Sequence, residues 1–300
     1  MADADPYNMH YHLWGSRVTQ SGIEIENLSY HYPGTANASL KNVSLKISNG
    51  EFAAIIGGNN SGKSTLCHAI SGIVPHLYHG RIQGRIRVNG TDISTMDMGE
   101  IAQDVGMVMQ IPRNQLSGFC YTVFEEVALG LENQGLQKEK IIHRVQRVLG
   151  MTGLEDLAQR SPHQLSGGQQ QRLILAVAIA LEPSFLVLDE PTTFLDPMGA
   201  KEVFNLLHKL NKKGTTIIIA EQRLEFIAEY AGRVIVLKDG ATVLDGSAQE
   251  ILTSPVLKEV NMEWTRFTRV AALARTKGLW TAGEPLSASF STTIKGLTKK

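Results

Sequence analysis

The sequence predicts an α/β protein: a parallel sheet with crossover helices around a phosphate-binding loop, preceded by an antiparallel β subdomain and interrupted by a helical lobe. Three observations carry this expectation. "FAAIIGGNNSGKST" runs an apolar strand into a glycine-rich turn and then a helical pattern. "FLVLD" and "TTIIIA" flank the helical stretch "GAKEVFNLLHKLNKKG", the strand–helix–strand spacing of a parallel sheet. The β-branched runs "IEIENLSY", "LKNVSLKI" and "EFAAII" are punctuated by Pro33-Gly34 and Asn49-Gly50, which marks strands joined by tight turns.

Three hundred residues suffice for one sizeable core, or a core with an appended lobe. Hydrophobic residues make up 43% and charged residues 19%, an ordinary globular balance. Lys plus Arg and Asp plus Glu are equal at 29 each, so no global field draws nucleic acid or anionic lipid, and no nucleic-acid partner is expected. Cys67 and Cys120 are far apart and make no metal-ligand pattern, which argues for a reducing compartment. Residues 1–20 hold no apolar run and are read as a loose tail. "LILAVAIALEPSFLVLD" is broken by Glu182 and Pro183, so it reads as a buried helix, a turn and a buried strand. A cytoplasmic chain is expected, with any membrane role supplied by partner subunits.

The phosphate loop starts at Gly57 and continues through Gly58, Asn59, Asn60, Ser61 and Gly62 to Lys63, Ser64 and Thr65. Glycines let the backbone curl so that N–H groups point inward at an anion, and the following helix N-terminus adds partial positive charge. Lys63 suits the β- and γ-phosphates, and the Ser64 hydroxyl suits Mg²⁺. "FLVLDEP" ends a buried strand in two carboxylates. Asp189 is placed where ligands bind in parallel sheets and fits a Mg²⁺ partner, directly or through water; Glu190 fits a general base holding the attacking water.

In "QLSGGQQQR", Leu165, Ser166, Gly167, Gly168 and Gln169 open a helix whose first free N–H groups make a second anion site, without a lysine. "LSGGQ" upstream of "FLVLDEP" and downstream of a phosphate loop resembles the ATP-binding cassette (ABC) family over residues 23–247. The resemblance implies a P-loop NTPase core, ATP and Mg²⁺ as ligands, and two cassettes sandwiching two nucleotides head to tail. Lys63 of one cassette and Ser166 and Gly168 of the other would then hold one γ-phosphate. Each motif occurs once, so a second cassette is expected, identical or different. The resemblance also implies an adenine-stacking role for Tyr32 with Tyr30 as the alternative, a Mg²⁺- and water-sensing role for Gln110, and a partner-facing role for Asp196 in "PTTFLDP". Phe194 is bulkier than the residue usual in that loop.

"VGMVMQIPRNQLSGFCYTVFEEVALGLEN" resembles the ATPases of energy-coupling factor transporters, which import vitamins and transition-metal ions. Gln110, Pro112, Asn114, Gln115, Thr122, Val123 and Val127 agree; Ile111 and Arg113 depart. A transmembrane coupling subunit and a membrane substrate-binding subunit are implied, with this chain peripheral on the cytoplasmic face. Another ABC importer is the alternative. A chromosome-type ABC ATPase would carry a long coiled coil, and a translation-type one two cassettes in one chain. A nucleotide-gated subunit that hydrolyses poorly stays open because of "TIIIAEQRLE". In the family the corresponding strand leads to a histidine that contacts the γ-phosphate; here the aligned residue is Gln222, which can keep a hydrogen bond but cannot take up charge.

The expected organisation is a tail to 20, an ATPase domain over 21–250 with a helical lobe at about 111–165, and an extension over 251–300. Within 137–149, Ile141, Ile142, Val145, Val148 and Leu149 predict one helical face ended by Gly150. Val260, Trp264, Phe267, Ala271 and Ala274 share a face at helical spacing, read first as packing on the chain's own domain and second as a cassette–cassette contact. Residues 281–300 are polar enough to predict disorder. His76 and His79 are read as surface-turn residues, and Cys67 and His68 as packing and surface residues.

Overall fold

The computed structural model describes residues 22–281 and 283–298; the expected tail at 1–20 lies outside the described residues. A four-stranded antiparallel sheet has the order β2-β1-β4-β5, from β1 (Gly22–His31), β2 (Leu40–Ser48), β4 (Arg81–Val88) and β5 (Thr91–Asp92). A six-stranded sheet has the order β10-β9-β3-β8-β7-β6. It uses β3 (Phe52–Ile56), β6 (Val105–Val108), β7 (Phe185–Asp189), β8 (Thr216–Ala220), β9 (Arg233–Lys238) and β10 (Ala241–Ser247). All its pairings are parallel except that of the edge strand β10.

The helices before the lobe are α1 (Lys63–Ile70), α2 (Ile73–His76) and α3 (Met98–Asp104). Next come α4 (Val123–Asn133), α5 (Lys138–Thr152), α6 (Gly167–Ala180), α7 (Pro197–Lys212) and α8 (Leu224–Tyr230). The chain continues through α9 (Ala248–Thr253), α10 (Val256–Glu259), α11 (Arg266–Thr276) and α12 (Phe290–Leu297). No helix among the described residues is long and apolar enough to cross a membrane.

Strands β3, β7 and β8 are buried on both faces, which is why they read as unbroken apolar runs. Alternate side chains feed two cores. Ala53, Ile55, Phe185, Val187 and Ile218 face the antiparallel sheet and α1. Ala54, Ile56, Leu186, Leu188, Ile217 and Ile219 face the larger core that includes α4 to α9. The Asn89-Gly90 turn between β4 and β5 has both residues at positive φ, 50° and 83°, the geometry that Asn-Gly supplies in a hairpin.

Three expectations change. Gly150 lies inside α5; the cap is Gly153, at φ 66° and ψ 41°. The shared face from Val260 to Ala274 is not one helix. Asn261 is left-handed, and Thr265 starts α11 by accepting a hydrogen bond from the Thr268 N–H. Val260 therefore joins the main core, while Ala271 and Ala274 pack with Trp280. The segment expected to be disordered contains α12. Its polar residues pair with one another and with the chain: Thr265 Oγ1 donates to Ala288 O at 2.8 Å, and Thr293 Oγ1 donates to Ser289 O at 2.7 Å. Composition counted those hydroxyls as solvent-seeking; the fold satisfies them internally.

Candidate functional site

Strands β3, β8 and β7 are adjacent, so the loops at their carboxyl ends converge. The pairings Ile55↔Ala220 and Asp189↔Ala220 put the strand ends level. The loop after β6 joins them, because β6 pairs with β7. One sheet edge thus receives the phosphate loop, both carboxylates, Gln110 and Gln222.

The phosphate loop is tightly built. A Cβ on Gly57, at φ 154°, would lie 2.3 Å from Leu237 O and 2.6 Å from Ser61 Oγ; one on Gly62, at φ 103°, would lie 2.7 Å from Ser39 O. Glycine is required at both places by space and by backbone conformation. Gly58, in contrast, borders open space. Asn60 takes the left-handed conformation at φ 61°, which asparagine tolerates. Gly58, Asn59 and Asn60 are exposed, while Ser61 and Thr65 are buried, and Ser61 Oγ has no partner. Lys63 is 6% exposed, and its ammonium donates to the carbonyls of Gly57 and Gly58, both at 3.0 Å. The loop therefore folds around the lysine head, leaving a concave backbone that suits a polyphosphate.

Asp189 is 3% exposed at the end of β7, and its Oδ1 has no partner. Burial pushes this carboxyl above its ordinary range; the Ser64 hydroxyl, hydrogen-bonded to it, pulls the other way. A buried carboxylate oxygen lacking a partner beside a hydroxyl is a fitting donor pair for a hard cation that keeps other oxygens from phosphate and water. Among the described residues no group of three or more His, Cys, Asp or Glu could hold a metal, so a cation here would depend on those other oxygens.

Glu190 is left-handed at φ 46°, an uncommon conformation for a glutamate, and its N–H donates to Ala220 O at 2.8 Å. Its carboxylate is bracketed: Gln110 Nε2 donates to Oε2 at 2.8 Å, and Gln222 Nε2 donates to Oε1 at 2.6 Å. The strained backbone and two opposed donors hold this side chain in one pose. Such strain persists only where the surroundings over-determine it.

Gln110 is itself positioned by its loop. Gln115 Oε1 accepts from Met109 N at 2.6 Å and its Nε2 donates to Met107 O at 3.0 Å, while the buried Glu126 carboxylate accepts from Ser117 N and Oγ. Ile111, Phe119 and Tyr121 on this loop are exposed apolar side chains.

Ser166 caps α6 in a reciprocal box with Gln169: Ser166 N donates to Gln169 Oε1 at 2.9 Å, and Gln169 N donates to Ser166 Oγ at 3.3 Å. Leu165 is buried, Gly167 is exposed and Gly168 is half-buried. A Cβ on Gly168 would approach Leu195 Cδ2 to 3.1 Å, and one on Gly167 would meet Phe194 at 3.7 Å, so the bulky Phe194 leans on the signature turn of its own chain. Asp196 caps α7, accepting from Gly199 N at 2.7 Å. The signature turn and Asp196 thus lie together, and no described bond links either of them to Lys63.

Tyr32 is half-buried, edge-on to Tyr30 at 4.9 Å, with its hydroxyl 3.3 Å from Thr65 Oγ1 at the start of α1. Tyr30 is fully buried and donates to Tyr78 O at 2.7 Å, so its ring has no face to offer a base. Tyr78, unremarked in the sequence, stands 6.2 Å from Tyr32 and completes an aromatic corner. Cys67 is buried, with its thiol pushed well above its ordinary range by desolvation, and His68 is held below its usual value by burial. His76 is spent on Gly72 O and Met96 O, at 2.9 and 3.1 Å.

The sequence profile of the family described as ABC transporter matches residues 40–193. The chain is similar to a putative ABC transporter ATP-binding protein of Pyrococcus abyssi, 40% identical over 230 residues, covering 76% of this chain and 81% of that one. Among solved structures it resembles CbiO1 from Clostridium perfringens, part of the ABC transporter complex CbiONQ. That likeness has a TM-score of 0.70 at 34% identity, over 86% of this chain and 100% of the other. It also resembles the ATP-binding cassette MJ0796 in a dimeric post-hydrolysis state bound to ADP and Pi. There the TM-score is 0.67 at 30% identity, over 75% of this chain and 98% of that one.

Proposed function

We propose that this chain, which belongs to the ABC transporter family of ATP-binding subunits, hydrolyses ATP to drive a membrane importer of a vitamin or transition-metal ion. The observation that carries hydrolysis is the bracketed Glu190 carboxylate at the sheet edge that also holds the phosphate loop. In this reading the loop N–H groups and Lys63 bind the β- and γ-phosphates, and Tyr32 offers the adenine a ring edge or face beside Thr65. Bound Mg²⁺ would neutralise charge on the phosphate oxygens; Ser64 and Asp189 would hold it, with Gln110 alongside.

Glu190 orients a water in line with the γ-phosphorus and takes its proton as the new P–O bond forms and the bond to the β-phosphate oxygen breaks. Gln110 and Gln222 keep the carboxylate aimed, which matters because misplacement by about 1 Å can cost on the order of a hundredfold in rate. No described bond joins Ser166, Gly167 or Gly168 to the chain's own Lys63, which leaves them for use by a second cassette docked head to tail. The dimeric state of the MJ0796 cassette supports the pairing of two cassettes.

The importer reading rests on the segment from Gln110 to Val127 and on the likeness to CbiO1. Exposed Ile111, Phe119 and Tyr121, on the loop that begins at Gln110, supply apolar side chains for a membrane subunit, the route by which transport would sense hydrolysis. The chain would then sit peripherally on the cytoplasmic face.

Two experiments test this. Lys63→Ala removes a charge-assisted contact worth about 1.5–3 kcal/mol, so Mg-ATP affinity or turnover falls roughly tenfold to a hundredfold; unchanged values would place the site elsewhere. Purifying the tagged full chain from solubilised membranes should bring down a second cassette and two membrane subunits. Recovery of the chain alone, from cells expressing its neighbours, refutes the importer reading.

A further inference from the structure

Glu221 and Arg223 flank Gln222, yet neither touches Glu190 in the mechanism above. Glu221 is 3% exposed, a buried carboxylate directly after β8. Its Oε1 accepts from the N–H groups of Gln222, at 2.8 Å, and Arg223, at 3.2 Å. Its Oε2 accepts from the Thr192 hydroxyl at 2.5 Å, and Thr192 is fully buried. Arg223 Nη2 donates to Leu195 O at 2.9 Å, the carbonyl immediately before Asp196. Three consecutive residues after β8 therefore each grip a different point of one loop: Thr192, Glu190 and Leu195.

We propose that Glu221 and Arg223 are positioning residues that brace the 190–196 loop against the end of β8. The general base and the partner-facing Asp196 turn then move as one unit. The inference rests on the hydrolytic reading above. Its physical basis is that a fully buried carboxylate with three donors is rigid, since releasing any one donor leaves a buried polar group unpaired. Arg223 is the outer strut. Its guanidinium reaches Leu195, which with Phe194 borders Gly167 and Gly168, so a partner docking on that surface would be felt at Glu190 through Leu195 and Thr192.

The test uses the full chain with its co-purifying subunits and compares Arg223→Ala, Glu221→Ala and Glu221→Gln with wild type. The readouts are equilibrium ATP affinity, kcat, the Hill coefficient for ATP and melting temperature. Expected is a fall in kcat of roughly tenfold to a hundredfold for both alanine variants, with ATP affinity within about twofold of wild type because the phosphate loop is untouched, and a lowered Hill coefficient for Arg223→Ala. Glu221→Gln keeps one oxygen for the two N–H groups and lets Thr192 accept instead of donate, so it restores most of the rate. Unchanged kcat and Hill coefficient in Arg223→Ala overturn the brace. So does a parallel loss of affinity, rate and melting temperature in both alanine variants, which marks a merely structural role. A wild-type complex without turnover overturns the hydrolytic reading itself, and the inference with it.

Discussion

The Gln222 side-chain amide donates to Glu190 Oε1 at 2.6 Å, the shorter arm of the bracket around that carboxylate. On the resemblance to the ABC family, a neutral amide here would fill the position of an imidazole. It can aim the carboxylate, but it brings no charge to a transition state that gathers negative charge on the γ-phosphate. Charged donors are roughly twice as strong as neutral ones. Gln222→His should therefore raise ATP turnover of the assembled complex at saturating ATP by about tenfold, a gain on the order of 1–2 kcal/mol. Turnover equal to or below wild type would show that the glutamine serves fully. A clear rise favours a naturally slow site, which in a heterodimer the partner's site would outpace.

Glu190→Gln should retain ATP and hold two cassettes closed. The amide keeps the side chain's size but cannot take the water's proton, a loss of about 10²–10⁴ in rate. Both flanking glutamines can turn a carbonyl toward the new amide, so the pose survives. Size-exclusion chromatography with Mg-ATP should show a dimer absent without nucleotide. Wild-type turnover in this variant would remove Glu190 from the role.

Asp189 resists ionisation because it is buried, and its folded-state value lies above the ordinary 3.8. A raised carboxyl contributes its stability below the unfolded value and loses it as pH rises through the folded one, so the ionised group is a cost at neutral pH. Asp189→Asn should raise the nucleotide-free melting temperature at pH 8 by about 2–4 °C, on the order of 1 kcal/mol, with the gain shrinking toward acid pH. The same variant should lose Mg²⁺-dependent turnover. A lowered melting temperature at pH 8 would contradict the desolvation account.

Gly296→Ala tests whether α12 is docked. The added Cβ would lie 2.2 Å from Trp280 Cη2, and Trp280 is 5% exposed. Overpacking should cost about 1–3 kcal/mol and push the indole toward water. A lower melting temperature and red-shifted tryptophan emission are expected, with ATP affinity unchanged. An unaltered spectrum and stability would mean that the helix does not pack on Trp280.

Much of the site was legible because its signals are local. Gly57, Gly62 and Lys63 follow a strand at a spacing that backbone geometry demands, and the burial of Ala54 and Ile55 on both faces explains the unbroken apolar run before them. Asp189 ends such a run in the same way. Other features were illegible because they depend on partners distant in sequence. Thr192 and Glu221 are 29 residues apart, and no pattern in either segment announces their bond. Polar composition hid α12, whose hydroxyls are satisfied by Ser287, Ser289 and neighbouring backbone. Gly150 and Gly153 offer the same capping signal in sequence, and only the observed φ of 66° identifies Gly153 as the cap of α5.

By itself, then, the sequence determined the phosphate loop, the strand-end carboxylates and the alternation that builds a parallel sheet, since each follows from short-range sterics and hydrophobic periodicity. Only the tertiary structure decided what surrounds Glu190. Strand order sets Gln110, Gln222, Glu221 and Arg223 within reach of one loop, and strand order arises from how helices cross over and bury both sheet faces, a property of the whole core rather than of any segment.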